Sequence, residues 1–579
     1  MRKQIIRRTL SDSGDVSLNG LHPVLRRIYS ARAVQSTKEL EHMLDGLLSY
    51  QLLNGIQQAV QLLADAITQR KKILVVGDFD ADGATSTAVA LRALRSFGAV
   101  DPHYLVPNRF AYGYGLTPEL VHAAKEFAPH LIVTVDNGIA NHAGVEAAKV
   151  AGMQVLITDH HLPAKTLPPA DAIVNPNQLG DLFPSKYLAG VGVIFYVMLA
   201  LRRHLVNIGW FAEKSIPEPN MSRLLDLVAL GTVADLVPLD HNNRILVHNG
   251  LRRIRSGQCS SGIVALLELA GRDFARVQAS DLGFAVGARL NAAGRLDDMS
   301  LGIECLLTDD PVRAREIARA LNQLNEERRS IEQDMQAQAL DALAKLSDNL
   351  KGDLPRGLCL FDASWHQGVI GILAARIKDR FNRPVIVFAP GQDNELKGSA
   401  RSITGLHIRD VLALIDVQHP GLILKFGGHA MAAGLTIQHK DLELFVKMFD
   451  EVVSSQLSEA DLRHLLLSDG ELTTDEFSLE TAALLREGGP WGQGFPEPIF
   501  DGTFRILEQR IVGDKHLKLR LGKDSKVIDA VAFFIDVKEW PNHRCEQVRA
   551  AYRLDINEYK GRQTVQLIVD YLEPIEAVQ

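Results

Sequence analysis

The chain of 579 residues has few cysteines and no long apolar segment, and each absence excludes a class of protein. Its four cysteines are dispersed without Cys-x-x-Cys spacing, which excludes a paired-cysteine zinc site and a disulfide framework and fits a reducing cytoplasm. The longest apolar stretch, 188–201, is too short to cross a bilayer and predicts a buried helix. The basic N-terminus lacks the apolar region of a secretory signal. We therefore expect a cytoplasmic protein without membrane contact.

The chain also has no excess of basic over acidic residues. The formal net charge is −7, so composition alone does not indicate a nucleic-acid partner, although binding depends on local patches rather than on the total. The sequence shows no internal repeat and no low-complexity segment. At this length one hydrophobic core is insufficient, and we expect about three or four domains.

Hydrophobic patterns predict an α/β protein with a C-terminal β domain. Alternating strands and helices indicate a mainly parallel sheet, and a stretch without glycine after Pro311 predicts a long helix between two lobes. Short alternating strands near the C-terminus predict a small barrel, for which an OB fold is the leading interpretation. The predicted parts are an N-terminal helical region at 1–50, a parallel-sheet domain at 51–300, the connecting helix at 301–350, a smaller α/β domain at 351–460 and the OB-like domain at 461–579.

Three predicted hydrophobic strands each lead into acidic residues. Ligands bind outside the carboxyl ends of parallel strands, so these residues should converge on one crevice. Acids crowded together repel one another unless a cation lies among them, and carboxylates with imidazoles but no thiolates suit Mn²⁺ or Mg²⁺. The pattern predicts a two-metal phosphoesterase centre. The strands are 73–76, 131–135 and 155–158, and the residues that follow them are Asp78, Asp80, Asp82, Asp136, Asp159, His160 and His161.

Spacing refines this prediction. Asp80 and Asp82 lie two residues apart at a predicted strand end, so their side chains should share a face and hold adjacent metals. A further acid, Asp235, follows the apolar stretch 224–233.

These motifs, in this order, resemble the DHH phosphoesterase superfamily, and further segments resemble its RecJ branch in particular. The resemblance extends over nearly the whole chain and implies a DHH domain, a companion DHHA1 domain and the C-terminal barrel. The segments that carry it are Asp78–Gly83, Pro107–Phe110, Gly113–Leu116, Asp159–His161, Gly231–Asp235, Arg289–Arg295 and Gly427–His429.

The resemblance implies a 5′→3′ exonuclease specific for single-stranded DNA, which uses two Mn²⁺ or Mg²⁺ ions and releases mononucleotides. It further implies a role in recombination and repair, with a single-strand-binding protein and repair helicases as partners of a monomer. Two rival functions are a phosphodiesterase for very short oligonucleotides or cyclic dinucleotides, and a scaffold without activity. Chain length and the barrel argue against the first, and the complete set of acids argues against the second.

The resemblance also assigns roles at the metal centre. Asp136 is expected to bridge two ions, with Asp78 and Asp80 on one and Asp82, His160 and Asp235 on the other. Many superfamily members have a histidine where this chain has Val76, and Asp78 is expected to replace it. The expected catalytic set is Asp136, Asp159, His160 and His161, in which Asp159 either binds metal or orients a neighbouring histidine, and His161 contacts phosphate.

A third group of residues is expected to bind the phosphates of DNA. Arginines supply planar, bidentate donors to a phosphate, and glycines allow the protein backbone to lie close to it. In the barrel, 505–526 holds seven basic and three acidic residues, and the leucines of 516–521 should fill the interior while the basic residues face outward. The phosphate-binding candidates are Arg109, Tyr114, Arg289, Ser399, Arg401, Gly427, Gly428 and His429 around the cleft, with Lys518 and Arg520 on the barrel.

Overall fold

The computed structural model describes residues 3–9, 18–107, 115–349 (backbone only from 345), 354–537 and 539–575. The described part of the N-terminal region up to residue 52 contains a strand, β1, one α-helix and three short 3₁₀ turns. No helix in the described parts of the chain is both long and apolar enough to span a membrane. The elements of this region are β1 (Gln4–Arg7), α1 (Pro23–Ser30) and three 3₁₀ turns at Thr37–Leu40, Leu44–Gly46 and Tyr50–Leu52.

The first α/β domain contains a five-stranded parallel sheet. Its strand order is β3-β2-β4-β5-β6, and the three central strands are buried almost throughout, as their continuous apolar sequences predict. The predicted strands are confirmed, with the third beginning one residue earlier than expected. The strands are β2 (Ile73–Val76), β3 (His103–Leu105), β4 (Leu131–Val135), β5 (Gln154–Thr158) and β6 (Ala172–Val174).

Helices surround this sheet. The predicted buried helix is confirmed but extends to Asn207, six residues beyond the apolar stretch. The helices are α2 (Ile56–Thr68), α3 (Ala81–Ser96), α4 (Pro118–Ala124), α5 (His142–Val150), α6 (Gly190–Asn207), α7 (Trp210–Glu213), α8 (Leu225–Ala234), α9 (His241–Arg255), α10 (Ser261–Leu269), α11 (Ala279–Asp281), a π-helix (Leu282–Gly287), α12 (Ala288–Leu296) and α13 (Ser300–Leu307), with 3₁₀ turns at Lys125–Phe127, Met221–Leu224 and Phe274–Arg276.

The long helix α14 (Pro311–Asn349) leads from the first domain to the second, as predicted. The second domain has a mixed five-stranded sheet in the order β10-β11-β9-β8-β7, in which only β7 and β8 pair in parallel. Its elements are β7 (Leu358–Phe361), α15 (Ile370–Phe381), β8 (Val385–Pro390), β9 (Glu395–Arg401), α16 (Ile408–Gln418), β10 (Lys425–Gly428), β11 (Ala432–Gln438), a 3₁₀ turn (His439–Asp441) and α17 (Leu442–Gln456).

The C-terminal domain is a closed five-stranded barrel in the order β13-β14-β15-β17-β16, which confirms the prediction of an OB-like fold. Leu517, Leu519 and Leu521 are buried inside it, as their alternation predicts. Its elements are β12 (Leu465–Ser468), α18 (Leu479–Glu487), β13 (Phe500–Val512), β14 (His516–Lys523), β15 (Lys526–Ala532), β16 (Gln547–Tyr559) and β17 (Arg562–Ile575).

The N-terminal residues are attached to this last domain. Strand β1 pairs in parallel with β12, with Ile5 opposite Leu466. The buried Arg32 guanidinium donates to both carboxylate oxygens of Asp469 at 2.8 and 3.1 Å. Arg7 donates in the same bidentate way to Asp501. The predicted helical region at the N-terminus thus contains a strand whose partner lies about 460 residues later in the chain.

Candidate metal centre and substrate cleft

Acidic residues follow three neighbouring strands at the same edge of the first sheet. Asp78 follows β2, Asp136 follows β4 and Asp159 follows β5, and all three are buried. Asp136 has a backbone φ of +63°, in the left-handed region that few residues other than glycine, asparagine and aspartate adopt. The strand ends therefore bring the three acids together, as the sequence predicts.

Asp80 and Asp82 belong to a helix rather than to a strand end. Asp80 is the N-cap of α3, and its Oδ1 accepts hydrogen bonds from the backbone N–H groups of Asp82 and Gly83, both at 3.0 Å. Asp82 lies in the first turn of α3, and its carboxylate accepts from the N-terminus of α6 at Gly190 (2.6 Å) and Val191 (3.0 Å). The predicted position of the two acids at a strand end is wrong, because the chain turns into a helix at Asp80. That they hold adjacent metals stays a prediction.

Asp235 also lies on a helix, at the C-cap of α8. Its Oδ2 lies 3.5 Å from His160 Nε2, and the same nitrogen lies 3.1 Å from Asp136 Oδ1. His160 Nε2 is buried and forms no hydrogen bond with any described residue. Burial lowers the pKa of His160, which favours the neutral form of the ring that can bind a metal through a nitrogen lone pair.

Three groups of side chains have ligand atoms within 4.8 Å of one another. Asp136 belongs to two of the groups, and so does His160. All six residues expected to bind metal are members of these groups, so the structure brings the whole predicted set together. The groups are Asp78 with Asp80 and Asp136, Asp82 with His160 and Asp235, and Asp136 with His160 and His161.

The carboxylates of this centre repel one another. Burial, together with the charge of Asp235, raises the pKa of Asp82 to about 7. Burial and the charge of Asp80 raise the pKa of Asp235 to about 8, and burial and the neighbouring acids raise the pKa of Asp136 well above its usual value. Oxygen and imidazole donors in this number fit one or two hard or borderline divalent cations, which would offset the repulsion. The donor set therefore fits Mn²⁺ or Mg²⁺.

Asp159 has a different environment from the other acids. Its Oδ1 accepts from the backbone N–H groups of His160 (2.7 Å) and His161 (3.1 Å) and contacts His161 Nδ1 at 2.7 Å, while Oδ2 accepts from Ile139 N–H at 2.9 Å. Burial alone would lower the pKa of His161, but the interaction with Asp159 raises it to about 9. Because these contacts occupy Asp159, it orients His161 and belongs to none of the metal-ligand groups.

Two glycines allow helices to approach the centre closely. A Cβ on Gly190 would lie 2.6 Å from Cβ of Asp136, and a Cβ on Gly231 would lie 2.8 Å from Asp82 Oδ1. No pattern in the sequence pointed to Gly190, because its role depends on contacts with distant residues.

The second domain contributes its glycine-rich segment to the cleft. The His429 ring stacks on His161 at a centroid distance of 6.3 Å, so the two domains meet at the metal centre. Gly428 has φ +145°, and a Cβ there would lie 2.4 Å from Ala432 O, so this glycine is required by its own hairpin. A Cβ on Gly427 would meet no described atom within 4 Å, so its backbone is accessible.

Ser399 and Arg401 form a polar site at the first turn of α15. Arg401 Nη1 donates to Ser399 Oγ at 3.2 Å and to Ala400 O at 2.8 Å. A Cβ on Gly371 would lie 3.0 Å from Arg401 Nη2 and 3.1 Å from Ser399 Oγ. Burial lowers the pKa of the Arg401 guanidinium, so an anion beside it would stabilise its charge.

The segment Arg289–Arg295 connects these sites. Arg289 is buried, and it donates to Ala285 O at 2.7 Å and to Asn322 Oδ1 at 3.0 Å, which fixes α12 against α14. Asn291, which we did not predict as a site residue, accepts from Ala81 N–H at 2.7 Å. Arg295 donates to Gly368 O at 3.2 Å, next to α15. Helix α12 therefore contacts both the metal-binding loop and the second domain.

The remaining predicted residues lie elsewhere. Arg109 and Tyr114 fall outside the described residues. Lys518 and Arg520 lie on the outer face of β14, as expected, but Arg520 is opposite Glu508 on one side and Asp529 on the other. Lys523 forms an ion pair with Glu471, so its charge does not add to the basic surface predicted for the barrel.

Comparison with known proteins agrees with this architecture. Residues 72–232 match the DHH family N-terminal domain, 355–455 the DHHA1 domain and 468–571 the RecJ OB domain. A protein named single-stranded-DNA-specific exonuclease RecJ from Dickeya dadantii is 55% identical over 96% of this chain and 97% of its own length. The chain belongs to the RecJ family. The Escherichia coli relative of the same name is 53% identical over 99% of both chains.

Solved structures of the RecJ family have the same fold. The crystal structure of RecJ from Thermus thermophilus in complex with Mn²⁺ matches all of this chain and 81% of its own, with a TM-score of 0.80 and 30% identity. A crystal structure of exonuclease RecJ bound to manganese matches 72% of this chain and the whole of its own, with a TM-score of 0.58 and 34% identity.

Proposed function

We propose that this protein is a metal-dependent exonuclease that degrades single-stranded DNA from its 5′ end and releases 5′-mononucleotides in recombination and repair. The observation that carries the proposal is the arrangement of five carboxylates and two imidazoles in three overlapping groups, at which a second domain contributes His429. The relatives named single-stranded-DNA-specific exonuclease support the same substrate.

Two divalent cations would be held by this set, with Asp78, Asp80 and Asp136 around one and Asp82, His160 and Asp235 around the other. Mn²⁺ or Mg²⁺ bound there would neutralise charge on the transferring phosphoryl group and lower the pKa of an attacking water. Val76, the position at which many superfamily members have histidine, is buried and apolar. Asp78 therefore completes the first group in its place.

The protein's own groups position the substrate. His161, which Asp159 contacts through Nδ1, would donate from Nε2 to a phosphate oxygen. Ser399 and Arg401 would bind the 5′-terminal phosphate, and the accessible backbone of Gly427 would permit a close approach of the strand. Because a terminal phosphate carries more charge than an internal one, this site would select the end of a strand.

The decisive experiment compares single strands labelled at the 5′ or the 3′ end in the presence of Mn²⁺. Early release of a labelled mononucleotide from the 5′-labelled strand alone supports the proposal. Release from the 3′-labelled strand first, or cleavage restricted to dinucleotides and cyclic dinucleotides, would contradict it. Asp136→Asn should remove the activity, because the shared carboxylate is lost while asparagine tolerates the left-handed backbone.

The cellular setting follows from the same proposal. An exonuclease of this kind acts in the cytoplasm as a monomer, on strands opened by repair helicases and coated by a single-strand-binding protein. Pull-down of each candidate partner with purified protein, together with light scattering of the protein alone, tests this part.

A further inference from the structure

The first α/β domain contains a polar cavity of about 600 Å³ that none of the proposed metal-binding or DNA-binding residues lines. It is enclosed by the last turns of α3, the 3₁₀ turn at Met221–Leu224, the first turn of α8 and the last turn of α9. Small-molecule sites have volumes between about 300 and 1,000 Å³. The cavity is therefore large enough for a small ligand and separate from the substrate cleft.

Three arginines line this cavity, and they differ in how their charge is balanced. Arg92 donates to Asp309 at 2.8 Å. Arg223 is exposed, and neither it nor Arg253 forms an ion pair with any residue that the structure describes. Arg253 donates from Nη2 to Gln258 O, and its Nε is buried without a hydrogen-bond partner among the described residues. Two guanidinium groups are therefore available to an anion.

A buried carboxylate also lines the cavity. Asp226, in the first turn of α8, is only 1% exposed. Its Oδ2 accepts from the backbone N–H of Ser260 at 2.7 Å and from Ser260 Oγ at 3.1 Å. Its Oδ1 is buried without a hydrogen-bond partner among the described residues. Because buried polar atoms are rarely left unpaired, this oxygen indicates that an N–H donor of a ligand completes the site.

Helices α3 and α8 connect the cavity to the metal centre, and they pack against each other. Helix α3 carries Asp82 in its first turn and Arg92 about 15 Å further along, at a rise of about 1.5 Å per residue. Helix α8 carries Asp226 in its first turn and ends at Asp235, about 14 Å away. A ligand that shifts either helix would therefore move a metal-binding acid.

We propose that this cavity binds a nucleoside monophosphate, which acts on the metal centre through α3 and α8. The phosphate would lie between Arg223 and Arg253, an N–H of the base would donate to Asp226 Oδ1, and Pro219 and Leu224 would cover apolar parts of the ligand. A free phosphate lacks the N–H donor and a cation lacks the anionic group, whereas a nucleotide supplies both. The inference rests on the proposed function, which releases ligands of this class.

The first experiment measures binding of dGMP to the full-length protein by calorimetry in EDTA. It is done in an Arg401→Ala background, so that the phosphate site proposed for the cleft does not contribute. Arg223→Ala and Arg253→Ala should each weaken binding at least tenfold, as expected for loss of a hydrogen bond to a charged group. Arg252→Ala is the matched control, because Arg252 is an exposed neighbour on the same helix that does not line the cavity, and it should leave the affinity unchanged.

Two further comparisons test the class of ligand. Asp226→Asn can keep an oxygen towards Ser260 while an NH₂ group replaces the unpaired acceptor, so it should weaken binding of dGMP, whose guanine presents N–H donors. Inorganic phosphate should bind at least tenfold more weakly than dGMP. Tighter binding of dGMP than of GMP would identify the product of the reaction as the ligand, and the reverse order would identify a cellular ribonucleotide; either order supports the nucleotide site.

The regulatory part is tested by the affinity for Mn²⁺ with and without dGMP. Coupled sites typically change one another's affinity by about 5- to 150-fold, and this change should disappear in Arg223→Ala. The proposal is overturned if Arg223→Ala and Arg252→Ala bind dGMP alike, or if inorganic phosphate binds as tightly as dGMP, which would indicate a general anion site. An Mn²⁺ affinity that dGMP leaves unchanged would overturn the regulatory role. Binding in EDTA involves no cleavage, so failure of the proposed exonuclease function would be recognised separately in the end-label experiment.

Discussion

Gly190 and Asp136 are in such close contact that a methyl group on the glycine would lie 2.6 Å from Cβ of the aspartate and 2.7 Å from its Oδ1. The backbone N–H of Gly190 also donates to Asp82. One glycine at the N-terminus of α6 thus contacts two carboxylates, one that follows β4 and one in the first turn of α3.

Gly190→Ala is expected to disrupt the metal centre without unfolding the domain. The added methyl would displace Asp136, and overpacking of this kind costs about 1–3 kcal/mol of unfolding free energy. The measurement is the rise in melting temperature on addition of Mn²⁺, which should be large for the wild type and small for the variant. Gly192→Ala is the control, because its methyl would contact the flexible end of Leu188 at 3.0 Å and should keep the Mn²⁺ response.

The metal-free protein should lose stability as pH rises. The folded-state pKa values of Asp82 (about 7) and Asp235 (about 8) lie above the unfolded value of 3.8, so the folded state binds more protons between these limits. Stability contributed by the neutral acids is present at low pH and is lost as pH rises towards 8, by about 1.4 kcal/mol per pH unit for each acid.

Urea denaturation in EDTA between pH 5.5 and 8.5 measures this loss. Asp235→Asn should reduce the slope of stability against pH, and saturating Mn²⁺ should offset the loss in the wild type. Equal slopes for the wild type and the variant in EDTA would show that Asp235 is not a source of the repulsion.

Asp159→Asn tests the role of Asp159 as a positioning residue. Loss of the carboxylate should lower the pKa of His161 from about 9 towards its ordinary value, which NMR titration of the ring in the metal-free protein can follow. Activity should fall by roughly 10- to 100-fold, as for other residues that orient the groups of a metal site. An unchanged pKa of His161 would mean that Asp159 only supports the loop.

Arg401→Ala should reduce the preference for 5′-phosphorylated over 5′-hydroxyl strands. A hydrogen bond to a charged group contributes about 1.5–3 kcal/mol, so the preference should fall by roughly tenfold or more. Arg401→Lys keeps the charge but loses the planar pair of donors and should recover only part of it. Arg380→Ala removes an exposed arginine at the other end of α15 and should leave the preference unchanged.

Arg32→Ala should destabilise the attachment of the N-terminal region to the C-terminal domain. The Arg32 and Asp469 side chains are each only 1% exposed, and removal of one partner leaves a buried, unbalanced charge, which costs about 3–5 kcal/mol. Chemical denaturation measures the loss. Arg8→Ala, whose guanidinium contacts Asp469 at 3.7 Å and is 21% exposed, should cost much less.

The features that depend on local pattern were predictable from the sequence. Continuous apolar runs identified the strands that end before Asp78 and Asp136, and alternation identified β14 with its buried leucines. The helical position of Asp235 was missed because a short apolar run is compatible with either a strand or a helix.

Features that depend on contacts between distant residues were not predictable. Gly190 and Asn291 act through atoms of Asp136 and Ala81, which lie far away in the chain. The register of β14 with its two neighbouring strands likewise places Arg520 between Glu508 and Asp529. The number of basic residues in the segment therefore predicted a more positive surface than the structure has.

The pairing of β1 with β12 has a consequence for the order of events during synthesis. Residues Gln4–Arg7 leave the ribosome before both α/β domains, yet their partner Leu465–Ser468 is made only after them. Contacts of such large sequence separation form slowly and late in folding, because a long loop must close before they can be made. The edge of β1 therefore remains unpaired throughout translation of the intervening domains. A chaperone that binds exposed strand edges would bind at this segment.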